Sequence, residues 1–256
     1  MQLTLTLLTM NQIIDIGNTR SKIVLFCDGE PQETVAVASG LCDVVQQMCA
    51  KYPVEVIAWS AVGRIPDGFE QLLSAMDCPV VRLEWNTPIS FNHKYQTPEG
   101  MGADRVAADI AAVAYSPGCN VLVIDAGTCI TYDLLWADGP YIGGNIAPGM
   151  QMRLQAMHDH TAALPLISAQ GPLPDYGHDT DTAMRCGVVW GMRGEIAAEV
   201  ERYKSLIPNL KVWITGGDEL NLAEYVKGEV NVDKYLVARG LNLVCEEYLQ
   251  RTKIVQ

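Results

Sequence analysis

The sequence predicts an α/β protein built from two halves with the same plan, and three observations support this. Apolar β-type runs alternate with amphipathic stretches along its 256 residues, a pattern typical of α/β layers. The apolar run 121–124 ends in Asp125 and a glycine turn, and the same design occurs at residues 13–19. The order strand-turn-strand-strand-helix-strand-helix occurs in rough form twice, which indicates a duplicated domain. We expect the halves to face each other, with a nucleotide between the two turns.

The first half begins with two β-type runs, at residues 11–16 and 21–27, joined by Gly17-Asn18-Thr19. Asp28-Gly29 is a hairpin signal, and a third strand is expected at 33–38. The apolar spacing then predicts a helix at 41–52, a strand at 54–59, a helix at 69–76, a strand at 79–83 and, after a polar loop at 85–102, a helix from Ala103.

The boundary between the halves is expected at Ser116-Pro117-Gly118, so that they span residues 10–117 and 118–256. The second half repeats the plan. Its predicted elements are strands at 121–125, 129–136 and 141–146, a helix from Pro148-Gly149 to Met157, a Pro- and Gly-rich loop at 164–176, a helix at 180–206, a strand at 211–214 and a closing helix around 241–248.

Composition and charge exclude some classes of function. With 18 basic and 30 acidic residues the formal net charge is −12, which argues against a nucleic-acid or anionic-membrane surface. The eight cysteines include no CxxC pair and fit reduced thiols in a cytoplasmic protein. Residues 1–9 are apolar, lack Lys and Arg and are too short to span a bilayer. We expect them to be an N-terminal extension ahead of Met10.

Asp15 and Asp125 each stand at a strand end before a glycine turn. A carboxylate beside bare backbone suits a phosphate with its metal ion, although a single Asp-x-Gly is also a common turn. Two copies at matching positions favour the ligand role. Lys22 lies just past the first turn, where it either reaches a phosphate or is a solvated strand lysine.

Gly102-Ala103-Asp104-Arg105 opens a helix after the polar loop. In this position Asp104 is a candidate general base and Arg105 a candidate clamp on a carboxylate substrate. The alternative is structural: Asp104 complements the helix dipole, and Arg105 pairs with Asp109 at i+4. Spacing alone favours the structural alternative. The glycine clusters at 143–149 and 215–218 either line a ligand or form ordinary turns.

Motifs of several common enzyme classes are absent from the sequence. It contains no GxxxxGK[ST], no GxSxG, no HExxH and no GxGxxG. A Walker-type kinase, a nucleophile-elbow hydrolase and a Rossmann dehydrogenase are therefore disfavoured.

The twin turns resemble those of the superfamily of acetate and sugar kinases, heat-shock chaperone ATPases and actin, which has a duplicated ribonuclease H-like (actin-like ATPase) fold. Within it, the chain resembles the type III pantothenate kinases in six motifs: DIGNTRSK (15–22), YQTPEGMGADR (95–105), DAGTCITYD (125–133), GGNIAPGM (143–150), DTDTAMRCG (179–187) and TGGD (215–218). These motifs occur in the family's order and cover nearly the whole chain from about residue 10.

The resemblance implies ATP-dependent phosphorylation of the primary hydroxyl of pantothenate, the first step of coenzyme A biosynthesis. It implies that Asp104 accepts the proton, that Asp125 holds a monovalent cation, K⁺ or NH₄⁺, and that Asp15 lies on the Mg²⁺ side. The implied ATP-binding residues are Asp15, Ile16, Gly17, Asn18, Thr19, Arg20, Ser21, Lys22 and Thr128. The implied pantothenate-binding residues are Tyr95, Gly102, Ala103, Asp104, Arg105 and Thr180.

The resemblance also implies a homodimer with the pantothenate pocket near the subunit interface. Two positions depart from the family pattern: Cys129 stands where a small residue such as Ala is usual, and Asp179-Thr180 where Asn-Thr is frequent. Two alternatives remain open, another small-metabolite kinase of the superfamily and a non-catalytic transcription accessory factor. The acidic charge disfavours direct DNA contact for the latter.

Overall fold

The computed structural model describes residues 9–87, 96–137, 141–217 and 222–254. Ten strands lie in this part of the chain: β1 (Met10–Ile16), β2 (Ser21–Cys27), β3 (Glu30–Val37), β4 (Val54–Ala61), β5 (Val80–Arg82), β6 (Asn120–Ala126), β7 (Cys129–Leu135), β8 (Tyr141–Pro148), β9 (Leu210–Gly216) and β10 (Asn231–Val232). Six α-helices accompany them: α1 (Leu41–Lys51), α2 (Phe69–Ser74), α3 (Ala103–Ala114), α4 (Met150–Asp159), α5 (Thr180–Leu206) and α6 (Leu236–Ile254).

The strands form two mixed five-stranded sheets with the same connectivity. The first has the order β3-β2-β1-β4-β5 and the second, taken from its other edge, β8-β7-β6-β9-β10. β1 is antiparallel to β2 and parallel to β4, and β6 has the same relation to β7 and β9. This topology confirms the predicted duplicated α/β fold.

The described residues divide into two compact units. The first contains residues 9–87, 96–111 and 235–254, and the second contains residues 112–217 and 222–234 apart from the undescribed gap at 138–140. The sequence placed residues 118–256 in the second half. The structure instead groups α6 with the first unit, because α6 contacts β1, β4 and β5.

Alternation along β1 separates the two faces of the first sheet. Ile14 and Ile16 are buried against α1 and α2, in a cluster with Val45, Met48 and Phe69. Successive side chains of a strand point to opposite faces. Asn11 and Asp15 therefore belong to the other face, where the Asn11 side chain donates a hydrogen bond of 2.8 Å to Asn242 of α6.

α3 and α6 touch at the level of their backbones within the first unit. A Cβ atom added to Gly240 would overlap the carbonyl oxygen of Ala107. Only glycine permits this approach, so the contact fixes α3 on the same face of the sheet as Asp15.

The core of the second unit lies between its sheet and the long helix α5. Leu122 and Ile124 of β6 are fully buried in one cluster with Met192, Ile196 and Val200 of α5. The 3.6-residue period of the buried α5 positions agrees with the helix predicted at 180–206.

The remaining differences from the predicted elements are local. β10 is only two residues long and carries too little pattern to predict. α6 begins at Leu236, ahead of the apolar positions that indicated it, and β8 continues through the glycine cluster to Pro148. None of the helices in the described ranges is long and apolar enough to cross a membrane.

Candidate active site

The first phosphate turn joins β1 to β2. Asp15 is the penultimate residue of β1 and is largely shielded from solvent. The Gly17 amide donates to the Arg20 carbonyl at 3.1 Å and closes a tight turn. Lys22 lies directly opposite Asp15 in the β1–β2 register, so its ammonium group is held on the same face as the carboxylate.

The exposed part of this turn consists of Asn18, Thr19 and Arg20, while Ile16 is buried and Ser21 begins β2. The six residues after Asp15 thus divide into an apolar anchor and a solvent-accessible loop. This arrangement fits the predicted role of the loop in phosphate binding, which stays a prediction residue by residue.

Ser60 is a site residue that the sequence did not reveal. It lies at the end of β4, opposite Asp15 in the parallel β1–β4 register, and is fully buried. Its hydroxyl donates to Oδ1 of Asp15 at 3.1 Å. A lone serine in an apolar strand gives no functional signal until the strand beside it is known.

The segment after Ser60 packs on the phosphate turn through backbone atoms. The amides of Val62 and Gly63 both donate to the Ile16 carbonyl, at 3.0 and 3.1 Å. A Cβ atom on Gly63 would overlap the carbonyl oxygen of Gly17, so a glycine is required here. The glycine that follows the predicted strand at 54–59 is the signal in the sequence for this contact.

Asp104 lies in the first turn of α3, as predicted. The Arg105 amide donates to its Oδ1 at 2.8 Å. A Cβ atom on Gly102 would stand 2.5 Å from the same oxygen and 3.5 Å from Cγ1 of Val62. Gly102 therefore leaves room for the Asp104 carboxylate beside the segment that supports the phosphate turn.

The electrostatics connect the two aspartates. The pKa of Asp15 is raised from 3.8 to about 6, mainly by burial and next by the charge of Asp104. The Ser60 hydrogen bond and Lys22 act in the opposite direction. Like charges raise each other's pKa only at short range, so the structure brings the predicted base and the predicted magnesium-side carboxylate together in the first unit.

The other predicted residues of this motif occupy defined positions. Ala103 is the first residue of α3, and Arg105 is buried, with 7% of its surface exposed. Asp109, the alternative partner of Arg105, is fully buried in the same helix. Burial of both is compatible with either role for Arg105, so the substrate clamp stays a prediction.

The second phosphate turn lies between β6 and β7. Asp125 is the penultimate residue of β6, and Thr128 is exposed at the tip of the turn. The Gly127 amide donates to the Cys129 carbonyl at 2.9 Å, which makes this turn one residue shorter than the first. Gly149 and Gly216 pack against it, since Cβ atoms on them would overlap the carbonyl oxygens of Gly127 and Ala126.

The two turns share a polar row across their sheets. In the first unit the row runs Ser60, Asp15, Lys22, and in the second it runs Thr215, Asp125, Thr131. A hydroxyl thus flanks each aspartate on the parallel side, and the lysine on the antiparallel side is replaced by a threonine. The Thr131 Oγ1 atom is buried and has no hydrogen-bond partner among the described residues.

Two substrate-binding predictions lie elsewhere. Thr180 is the exposed first residue of α5, which begins after the N-cap Asp179. The Asp179 carboxylate accepts from the Thr182 amide at 2.8 Å in a capping box that fixes this helix start. Tyr95 lies outside the described residues.

Within the described ranges, no three His, Cys, Asp or Glu side chains cluster in a way that could hold a metal ion. A cation at either turn would therefore have at most two such side chains from the described residues and would take its remaining ligands from hydroxyls, backbone, water or phosphate. Mg²⁺ bound to nucleotides has this kind of ligand set.

Comparison with known proteins gives one family. The family model for type III pantothenate kinases matches residues 12–202. A type III pantothenate kinase from Phocaeicola vulgatus is 40% identical over 235 residues, which cover 92% of this chain and 97% of that protein.

Solved structures share the fold at low identity. A Campylobacter jejuni protein described as a conserved candidate Baf family transcriptional activator gives a TM-score of 0.58 at 24% identity, over 93% of this chain and 99% of that one. An inorganic polyphosphate/ATP-glucomannokinase from Arthrobacter sp. strain KM gives 0.51 at 17% identity, over 94% and 99%. At these identities the likeness concerns the fold alone, and it agrees with a duplicated ribonuclease H-like architecture.

Proposed function

The chain belongs to the type III pantothenate kinase family, and we propose that it transfers the γ-phosphoryl group of ATP to pantothenate with Asp104 as proton acceptor. The family itself carries the reaction class, pantothenate phosphorylation in coenzyme A biosynthesis. The roles of individual residues are the proposal.

The observation that carries these roles is that Asp15 and Asp104 lie close together in the first unit. The charge of Asp104 raises the pKa of Asp15. The Val62–Gly63 segment hydrogen-bonds to the phosphate turn, and the Val62 side chain lies 3.5 Å from where a Cβ atom on Gly102 would stand. A phosphoryl-transfer site needs a group that takes the hydroxyl proton close to the groups that hold the nucleotide phosphates. The first unit supplies both.

In the proposed step, the primary hydroxyl oxygen of pantothenate forms a bond to the γ-phosphorus, and the bond from this phosphorus to the bridging oxygen of ADP breaks. The hydroxyl proton passes to the Asp104 carboxylate. The Asp104 carboxylate lies in the first turn of α3, at the end of the helix where the helix dipole is positive. Residues Asn18 to Lys22 line the triphosphate, and Gly102 to Arg105 contact pantothenate.

The residues at the two turns fit the cations that the family implies. Asp15 with its neighbouring hydroxyl suits Mg²⁺, and Asp125 with the orphaned Thr131 hydroxyl suits a monovalent cation, because both ions prefer oxygen ligands. These ions supply positive charge that offsets the triphosphate. The assignments of Asp125, Thr128, Tyr95 and Thr180 rest on the motif resemblance.

The decisive experiment measures pantothenate-dependent ADP release with Mg²⁺ and K⁺ or NH₄⁺ for the wild type and Asp104→Asn. We expect a fall in kcat of roughly 10²- to 10⁴-fold in the variant, because a general base contributes about that much. Binding of Mg²⁺-ATP should persist. Asp67→Asn is the matched control, since the Asp67 side chain is 94% exposed.

Each outcome has a separate meaning. A wild type without pantothenate-dependent ADP release would contradict the proposed function. Turnover of another small alcohol in its place would favour the alternative metabolite kinase. Full activity of Asp104→Asn would leave the kinase intact and remove Asp104 as the base.

A homodimer is proposed from the family resemblance, and α5 supports it. Small residues recur along the exposed face of this helix at positions 183, 187, 191, 194 and 198, three of them glycines with open space around a Cβ position. A glycine in a helix interior costs about 1 kcal/mol relative to alanine. Three such glycines on one exposed face are understandable if a second copy packs closely there.

A cytoplasmic location is also proposed. All eight cysteines are free thiols, three of them with a raised pKa caused mainly by burial: Cys49, Cys78 and Cys245. Free thiols in this number are typical of a reducing compartment.

A further inference from the structure

The register of the sheet places Ser60 beside Asp15. Both residues are paired in the parallel β1–β4 ladder. The ladder continues in two hydrogen bonds, donated by the amides of Val62 and Gly63 to the Ile16 carbonyl. The Ser60 hydroxyl is fully buried and reaches Oδ1 of Asp15 at 3.1 Å. Rotation of the Asp15 carboxylate is therefore opposed by a donor that has no access to water.

The internal repeat gives independent support. At the equivalent place in the second unit, Thr215 pairs with Asp125 in the β6–β9 ladder and is also buried, with 6% exposed. A serine and a threonine thus occupy one structural position beside the two aspartates. The two preceding positions differ in shape, Trp59 against Ile214 and Ala58 against Trp213, so the shared hydroxyl indicates a shared requirement.

A purely structural role explains this less well. A buried hydroxyl on an apolar strand needs a partner, and alanine would fill the same place without one. Asp15 is the carboxylate expected on the magnesium side. Residues that hydrogen-bond to a metal ligand commonly orient it, and the Ser60 hydroxyl is placed to orient Asp15 in this way.

We propose that Ser60 is a positioning residue that holds the Asp15 carboxylate in the orientation that receives the magnesium-bound triphosphate. This inference rests on the proposed function, and it adds a residue that lies outside the family motifs quoted above. Ser60 acts through Asp15 and does not itself touch the substrate.

The test compares Ser60→Ala, Ser60→Cys and Ser60→Thr with the wild type. Isothermal titration of Mg²⁺ with the non-hydrolysable analogue AMP-PNP measures nucleotide binding without any need for turnover. We expect Ser60→Ala to weaken the Mg²⁺-dependent binding by roughly 10- to 100-fold, as loss of an outer-sphere partner does. Ser60→Cys has nearly the same shape and a weak donor, so it should weaken the Mg²⁺-dependent binding less. Ser60→Thr keeps the hydroxyl and should bind as the wild type does.

Steady-state kinetics give a second readout. The KM for Mg²⁺-ATP should rise in Ser60→Ala while the KM for pantothenate stays unchanged, and high Mg²⁺ should recover activity. Ser74→Ala is the matched control, because Ser74 is exposed and its hydroxyl donates to the Glu70 carbonyl within α2, away from Asp15.

The proposal is overturned if folded Ser60→Ala or Ser60→Cys binds Mg²⁺ and AMP-PNP as the wild type does, or if both substrates lose affinity equally. It is also overturned if Ser60→Thr is folded and does not restore binding. Should Ser60→Ala be unfolded, Ser60→Cys and Ser60→Thr still decide the question. A wild type that binds AMP-PNP but does not turn over pantothenate contradicts the proposed function and leaves the binding comparison intact.

Discussion

At the scale of single residues, Asp15 is held in surroundings that disfavour its charge. Burial first, and then the charge of Asp104, raises its pKa from 3.8 to about 6. The unfolded chain therefore ionises this group more readily than the folded one does. The stability that the neutral form provides is lost as the pH rises from about 4 to about 6. Above that window the penalty in the free energy of unfolding is about 3 kcal/mol, from 1.36 kcal/mol per pKa unit.

The variant Asp15→Asn should remove this penalty. Without nucleotide it should exceed the wild type in free energy of unfolding by about 3 kcal/mol at pH 7.5 and by about half of that at pH 5. Urea denaturation at both pH values measures the difference. Asp67→Asn should show no such pH-dependent gain, and a less stable Asp15→Asn at pH 7.5 would contradict the electrostatic argument.

Candidate site residues that lie in a ligand motif could be picked out from the sequence, and residues that gain importance only from strand register could not. Asp15 and Asp104 stand out because each has a charge beside glycines in a recognisable string. Ser60 and Gly63 acquire meaning only when β4 lies beside β1. Register is a tertiary property, set by which faces of the strands are buried, and no local string encodes it.

At the scale of elements, the contact between α3 and α6 sets the position of Asp104, the proposed general base. The two helices touch where Gly240 faces the carbonyl oxygen of Ala107, three residues beyond Asp104. A larger residue at 240 would push α3 away from the sheet and move the start of that helix.

We expect Gly240→Ala to destabilise the protein by about 1–3 kcal/mol, as overpacking does, although alanine is the better helix former by about 1 kcal/mol. The midpoint of chemical denaturation and kcat should both fall. Ala107→Gly should not rescue the variant, because the overlap is with a backbone oxygen. An unchanged or raised denaturation midpoint for Gly240→Ala would show that the helices separate easily.

Elements were predicted where their apolar period was long. The 27-residue helix α5 and the strands on either side of both turns follow directly from spacing. The partner of α6 was not predictable in the same way, since an amphipathic helix shows that it has an apolar face and not which sheet that face covers.

At the scale of the whole molecule, duplication was detectable because the same turn recurs with the same order of elements around it. The structure adds that the copies are unequal. The first turn is one residue longer and has Lys22 where the second has Thr131. The first copy thus pairs its aspartate with a lysine, whereas the two strand partners of Asp125 in the second copy, Thr131 and Thr215, are uncharged.

The proposed assembly gives a prediction at this scale. Gly191→Leu, in the middle of the small-residue face of α5, should convert a dimer to a monomer in light scattering coupled to size exclusion, because the side chain blocks close approach. Gln47→Leu, at an exposed position of α1, is the control and should leave the mass unchanged. A monomeric wild type would contradict the homodimer, and a dimeric Gly191→Leu would show that it forms elsewhere.

The position of α6 also bears on how the chain is made. On the ribosome, β1 to β5 emerge first, yet the helix that covers one face of their sheet emerges only after the entire second unit. At roughly 5–20 residues per second, the face that α6 covers stays without this helix for on the order of ten seconds. The second unit is continuous in sequence and can complete its core meanwhile. The first unit, which carries Asp15 and Asp104 and begins first in the sequence, therefore cannot acquire its last helix until the second unit has been synthesised.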